Sequence, residues 1–218
     1  MVKCNKSKEP PASLAREKLK GANGSCRCDD VINQLLFDFN NKCYICEIKG
    51  IADPEVEHLH PHHNSKYLDL KFDWSNLFLS CAHCNKVKNQ AKYENHIIDC
   101  CQEDPEIHLH SVYKDGNVYV SAIDDSEESQ RTAELIYEVF NKETPALRNI
   151  ASKYRLNALR IEMNNFFKEL ASYKKDPQNA FHKRRIMVML KTSSSFAAFK
   201  RDYIRDNADT YADLFNQL

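Results

Sequence analysis

Val31, Leu35, Leu36 and Phe39 recur at the three- and four-residue spacing of an amphipathic helix, and Asp29 or Asp30 stands where its cap belongs. Ahead of them a polar arm with Lys8-Glu9-Pro10-Pro11 leads into a shorter helical pattern that begins at Ser13 and is closed by Gly21 and Gly24. Between residues 41 and 98 the periodicity breaks down. Cys43-Tyr44-Ile45-Cys46 reads as a knuckle turn and Val56 to Leu59 as the end of a short strand. Asp73 to Leu79 leads to a second knuckle at Cys81, and Asn85 reads as a helix start. Alternation returns in His108-Leu109-His110-Ser111-Val112-Tyr113 and Val118-Tyr119-Val120, which flank Asp115-Gly116-Asn117, a hairpin signal.

Helical spacing dominates the remainder. Asp125 and Glu128 stand at capping-box spacing before Leu135, Ile136, Val139 and Phe140. Thr144-Pro145 pairs a cap with proline at the first helical position. The helix it starts is expected to be interrupted near Tyr154 to Asn157 and to continue through Leu159, Met163, Phe166, Phe167 and Leu170. Two more helices are expected, one from Asp176 to Leu190 and one from Ser194 to Phe215. The pattern predicts an α+β, mainly helical chain in three parts. Residues 1–40 form an N-terminal arm and helix, residues 41–98 a metal module, and residues 99–218 a hairpin followed by a helical region.

Composition narrows the class. With 218 residues, 42% hydrophobic and 28% charged, the chain can bury a real core and reads as globular rather than disordered. No apolar run would span a bilayer, and the N-terminus has no apolar core after its basic start, so a cytoplasmic location without a signal peptide is expected. Nine cysteines in such a chain imply reduced thiols and metal, not a disulfide framework. Formal net charge is zero, which argues against a purely electrostatic nucleic-acid binder. The charge is uneven: Lys183, Arg184, Arg185, Lys191, Lys200, Arg201 and Arg205 face Asp202 alone in one stretch, whereas residues 124–143 are mostly acidic. A basic tail suits phosphate and an acidic helix suits a protein partner; each is equally readable as a solvated helix face.

Cys43, Cys46, Cys81 and Cys84 form two CxxC pairs, the donor set of a closed tetrahedral zinc site with no position left for water. Such a site is structural. The residues between and after the pairs carry the chemistry. Phosphodiester hydrolysis needs a base for water and a cation for the developing charge. His58 is a natural base. Glu57 and Asn85 offer a carboxylate and an amide oxygen, which suit a hard cation such as Mg2+ or Mn2+. In an extended segment Glu57 and His58 face opposite ways. Asn76 is placed to bond loop backbone and fix the base. Lys86, Lys88, His60 and His62 are phosphate-contact candidates, although such residues are also common on solvated loops. His83, His108 and His110 are expected to face solvent, and Trp74 to pack in the core.

The run Cys43-Tyr44-Ile45-Cys46, Val56-Glu57-His58-Leu59-His60-Pro61, Trp74-Ser75-Asn76-Leu77 and Cys81-Ala82-His83-Cys84-Asn85 with Lys88 resembles the HNH endonucleases, in particular their zinc-stapled branch. The resemblance covers residues 41–89. It implies a ββα-metal fold with His58 as general base, Asn76 as the middle motif residue and Asn85 in the last position, so the motif reads H-N-N. It further implies products with a 5′-phosphate and a 3′-hydroxyl. Glu57 stands where the family often has Asp, one methylene shorter. The segment from Lys8 to Leu14, the helix into Cys43, and Leu156-Asn157 with Arg160 resemble the PtuB-like HNH subunit of Septu-type anti-phage systems, also found with some retrons. That resemblance implies an ABC/SMC-like ATPase partner docked on the helical C-terminal region. DNA is the expected substrate, with RNA remaining open. The competing reading is a catalytically silent, zinc-stapled adaptor for nucleic acid or for an ATPase.

Overall fold

The computed structural model describes residues 1–141 and 146–218, the side chains of residues 146–149 aside. Two helices, α1 (Ala12–Lys18) and α2 (Asp29–Asp38), open the chain. α2 buries Val31 and Leu35 completely, the face set by its apolar spacing. Two acidic residues, Asp29 and Asp30, occupy its first turn, where the helix dipole favours negative charge. Asp30 also reaches back to α1, accepting from the Ser13 backbone N–H at 3.0 Å and from its hydroxyl at 2.5 Å.

The middle of the chain is a strand, an excursion, a strand and a helix. β1 (Pro54–His58) pairs antiparallel with β2 (Leu77–Cys81), His58 opposite Leu77 and Pro54 opposite Cys81. The excursion carries the short helix α3 (Leu68–Phe72) and a tight turn over Trp74–Asn76. α4 (Ala82–Lys88) follows β2 without a loop. The helix therefore starts inside the second CxxC pair, not at Asn85, which lies within it. Cys84 comes from its first turn and Asn85 one residue later, so one short helix delivers a thiol and an amide to two different places.

β3 (Leu109–Lys114) and β4 (Asn117–Ala122) form the expected hairpin. Its two-residue turn, Asp115-Gly116, has φ of 52° and 79°, the left-handed pair that a tight hairpin turn requires. α5 (Glu127–Asn141) is capped by Ser126 and not by Asp125: the Ser126 hydroxyl accepts from the Ser129 N–H at 3.2 Å. The capping pair expected at Thr144-Pro145 lies outside the described residues. α6 (Ala146–Lys175) runs unbroken through Tyr154 to Asn157, where an interruption was expected, because Arg155 and Leu159 both fall on its buried face. α7 (Ala180–Met189), α8 (Ala197–Asp206) and α9 (Ala212–Phe215) complete the chain, so the last expected helix is two.

Buried residues from all three parts of the sequence enter one hydrophobic cluster, which includes Leu35, Tyr44, Phe78, Phe140, Phe166 and Leu214. Trp74 belongs to it: its ring is buried, its N–H donates to Ser7 O at 2.8 Å, and the Lys6 ammonium lies 4.1 Å from the ring centroid. The basic stretch is largely consumed internally. Lys200 pairs with Glu162, Arg201 and Arg205 with Glu106, Lys183 with Asp213 and Arg185 with Glu169. Among the described residues no helix is long and apolar enough to cross a membrane.

Candidate active site and metal centre

The first knuckle is a tight turn. The Cys43 N–H donates to Ile48 O, and Glu47 donates back to Cys43 O with its own φ at 60°. The second is the junction of β2 and α4. Together they bring the Sγ atoms of Cys43, Cys46, Cys81 and Cys84 within 4.8 Å of one another, all four residues buried. A tetrahedral zinc with bonds of about 2.3 Å has sulfur–sulfur edges of about 3.8 Å. Cys46 and Cys81 stand 3.9 Å apart, so the donor set fits zinc in number, chemistry and spacing. Burial pushes the Cys46 and Cys84 thiols well up, while hydrogen bonds from Cys43, Cys46 and Cys84, aided by the charge of Arg155, push Cys81 down. Only a cation shared by all four lets them ionise together.

On the other side of the hairpin, His58 lines a cleft of about 540 Å3, a size common for small-ligand sites. His58 Nε2 lies 3.1 Å from the carbonyl oxygen of Lys71 and 3.8 Å from Cys26 Sγ. A carbonyl only accepts, so Nε2 carries the proton and Nδ1 keeps the lone pair. Nδ1 has no hydrogen-bond partner among the described residues. Burial first, then the nearby charges, push His58 down to about 4 against the lift from the Lys71 carbonyl, so it is neutral near pH 7. Asn76 is 3% exposed. Its Oδ1 accepts from His60 N at 2.8 Å, and its Nδ2 donates to His60 O and Leu70 O at 2.9 Å each. It clamps both ends of the excursion and has no atom left for substrate, which makes it a positioning residue and not a member of the reacting set.

Glu57, the neighbour of His58 on β1, also lines the cleft but is buried, with Oε2 accepting from the Tyr44 hydroxyl at 2.6 Å and Oε1 paired with Lys88 Nζ at 2.7 Å. Asn85 also lines the cleft and its side chain makes no hydrogen bond among the described residues. This is a fair fit to a weakly held hard cation. Asn85 has a free oxygen, whereas Glu57 would have to share Oε1 with Lys88.

Of the phosphate-contact candidates, only His62 and Lys88 line the cleft. The His62 ring lies edge-on to His58 at 4.6 Å, and its Nδ1 accepts from Ser65 N at 2.8 Å. Lys88 is a correction: its ammonium is buried and donates to His58 O at 3.0 Å and Leu59 O at 2.9 Å besides pairing with Glu57, so it braces the strand end instead of facing phosphate. His60 and Lys86 are exposed and stand outside the cleft lining. His83 is buried, 3.0 Å from Val139 O, not solvent-facing, because α5 packs on α4. His108 and His110 are part-covered too, His108 between Glu103 and Asp124, and His110 against Asp206.

Sequence reasoning passed over Lys71 and Arg27, which also line the cleft, as does Cys26, whose Cys26-x-Cys28 spacing reads in the sequence as unpaired thiols rather than a metal site. Lys71 Nζ donates to Ala22 O and Ser65 Oγ, tying the N-terminal arm to the histidine loop. Neither the lysine nor the arginine has a spacing signature, and the Cys26-x-Cys28 spacing does not point to His58; only chain folding brings the three there.

Residues 43–91 match the model of the HNH endonuclease family. No curated protein and no solved structure matches the chain.

Proposed function

We propose that this protein hydrolyses phosphodiester bonds of a nucleic acid, DNA in the first instance, as a divalent-metal-assisted HNH endonuclease. The observation that carries the reading is the state of His58: a neutral imidazole on a cleft wall, its Nε2 proton committed to a backbone carbonyl and its Nδ1 lone pair uncommitted. A general base must be unprotonated with an open lone pair, and His58 is both, although a value near 4 makes it a weaker base than a free imidazole. His58 Nδ1 takes the proton of an attacking water, and the Lys71 carbonyl holds the imidazolium that results. Asn76 keeps the loop behind His58 in place. A divalent cation held at Asn85, with Glu57 as the second oxygen donor, would supply charge stabilisation at the phosphate and leaving oxygen. The products are a 5′-phosphate and a 3′-hydroxyl. The four-cysteine zinc is a staple and takes no part, since four thiolates leave no open position.

We propose further that the enzyme serves as the effector nuclease of an anti-phage system, acting beside an ABC/SMC-like ATPase. Tyr154, Ile161, Phe181 and Val188, exposed apolar residues of α6 and α7, support a partner on that side. The deciding experiment is cleavage of plasmid and linear DNA by wild type and His58→Ala, with Mg2+ or Mn2+ and with EDTA, alone and with a co-expressed ATPase. Metal-dependent cutting lost in His58→Ala is expected; cutting that survives the substitution sinks the reading. A protein that binds DNA yet never cuts, with any metal or partner, is the adaptor instead.

A further inference from the structure

Three cationic side chains line the cleft beside His58: Arg27, Lys71 and Lys88. Two of them are spent. Lys71 is buried and donates to Ala22 O and Ser65 Oγ; Lys88 is buried and pairs with Glu57 and two carbonyls. Arg27 is different. Its side chain is 57% exposed, and its one ion pair among the described residues runs from Nη2 to Glu55 Oε2 at 2.6 Å. No other side-chain hydrogen bond engages this guanidinium among the described residues, so most of its five N–H donors are open.

The backbone under Arg27 is pinned. A Cβ on Gly24 would lie 2.0 Å from Glu17 O, so only glycine lets the segment close onto α1. The Ser25 N–H donates to Glu17 Oε2 at 2.9 Å, and the Arg27 N–H donates to Ser25 Oγ at 3.1 Å. The next side chain, Cys26, is buried 3.8 Å from His58 Nε2. Arg27 is therefore held at the rim by a rigid turn whose neighbouring residue touches the base. Its charge is among those that depress the His58 imidazole, after burial.

We propose that Arg27 is the phosphate clamp of this cleft: its free guanidinium edge takes the two non-bridging oxygens of a backbone phosphate next to His58, while Glu55 holds the opposite edge. A planar fork of N–H donors matches those two oxygens, which neither tethered lysine can do. Glu55 orients the fork and also attenuates its charge before nucleic acid arrives. Arg27 lies outside residues 43–91, so the clamp belongs to this chain's N-terminal arm and not to the matched family segment. The inference rests on the nuclease reading for its ligand, and the test separates the two.

The full-length His58→Ala protein serves as the uncleaving background. Binding of fluorescein-labelled duplex and single-stranded DNA is read by anisotropy at several salt concentrations. The variants are Arg27→Ala, Arg27→Lys and Glu55→Gln. An exposed ion pair contributes little to stability, so the variants should fold, and a thermal melt checks that. Arg27→Ala is expected to weaken binding about 10-fold and to lower the salt slope by about one phosphate contact. Arg27→Lys restores the slope but only part of the affinity, and Glu55→Gln tightens binding severalfold. In the His58-intact protein, Arg27→Ala lowers kcat/KM about 10-fold. Unchanged affinity and slope in a folded Arg27→Ala protein overturn the clamp, even if His58-dependent cleavage stands. Loss of binding at Arg27→Ala in a protein that never cleaves upholds the clamp and sinks only the nuclease. No binding of either DNA by the background protein overturns the clamp, while the nuclease reading stands or falls on His58-dependent cleavage.

Discussion

Arg155 Nη2, from the first half of α6, lies 2.9 Å from Cys81 Sγ, and both residues are buried. Four thiolates around Zn2+ leave two formal negative charges inside the protein, and a buried charge needs a partner. Arg155 is that partner. It joins a helix more than 70 positions downstream to the thiol cluster. Arg155→Met keeps most of the volume and removes the donor. Zinc affinity should fall about 10–100-fold, the usual cost of losing a residue that bonds a metal's ligand. Competition with a chromophoric chelator measures this, and thiol alkylation should speed up in parallel. Unchanged zinc release in Arg155→Met would refute the charge-balancing role.

Lys88 and Glu57 predict an exchange between a bound ammonium and a metal. Lys88→Met leaves the Glu57 carboxylate buried with only the Tyr44 hydroxyl, which destabilises the metal-free protein by about 3–5 kcal/mol. The same change frees Oε1 for a cation. Added Mn2+ should therefore raise the melting temperature of Lys88→Met more than that of wild type. Equal Mn2+ shifts in the two proteins would show that Glu57 does not hold the metal.

Glu47 ties the first knuckle to the C-terminal helices. Its carboxylate pairs with Lys42 at 3.1 Å and accepts from the first amides of α8, Ala197 N at 2.9 Å and Ala198 N at 3.3 Å. Lys42 in turn donates to Ser194 O at 3.2 Å. The Met1 amino group also pairs with the Glu47 carboxylate, at 3.0 Å, and the group is buried, so Glu47→Gln leaves two unmatched ammonium groups and a weakened helix cap. A loss of about 3 kcal/mol or more is expected in urea unfolding. A loss near zero would mean that α8 docks by its apolar face alone.

Local signals carried most of what was legible. Two CxxC pairs announced the thiol cluster because the spacing within each pair encodes a turn. Asp115-Gly116 announced its hairpin because that turn needs two positive φ angles. Asn85 misled as a helix start because β2 passes into α4 with no loop, so no breaker marks the boundary. Lys88 reads in the sequence as an exposed cation after a zinc knuckle, and nothing local says that Glu57 waits 31 residues upstream to pair with it. Arg155 and Lys71 are equally silent: each acts at a place that exists only once distant segments meet. His83 looked exposed between two cysteines because the helix that covers it, α5, lies far along the chain. Spacing reveals contacts within one turn or hairpin; the polar contacts that hold the site in position are long-range.

His58 gives the sharpest pH prediction. Its folded value near 4 lies below the ordinary histidine value of about 6.5, chiefly through burial. In the metal-free protein, an imidazole NMR titration should show His58 neutral down to about pH 5 and protonating near pH 4. The sign for stability follows from proton counting. Between pH 6.5 and 4 the unfolded chain binds a proton at this residue that the folded chain refuses, so stability falls as pH falls through that window. His58→Gln, which does not titrate, should show a shallower acid loss across the same range. A His58 resonance that titrates near 6.5, with the same acid slope in His58→Gln, would mean that water reaches the ring freely and that the imidazole is not held neutral by its surroundings.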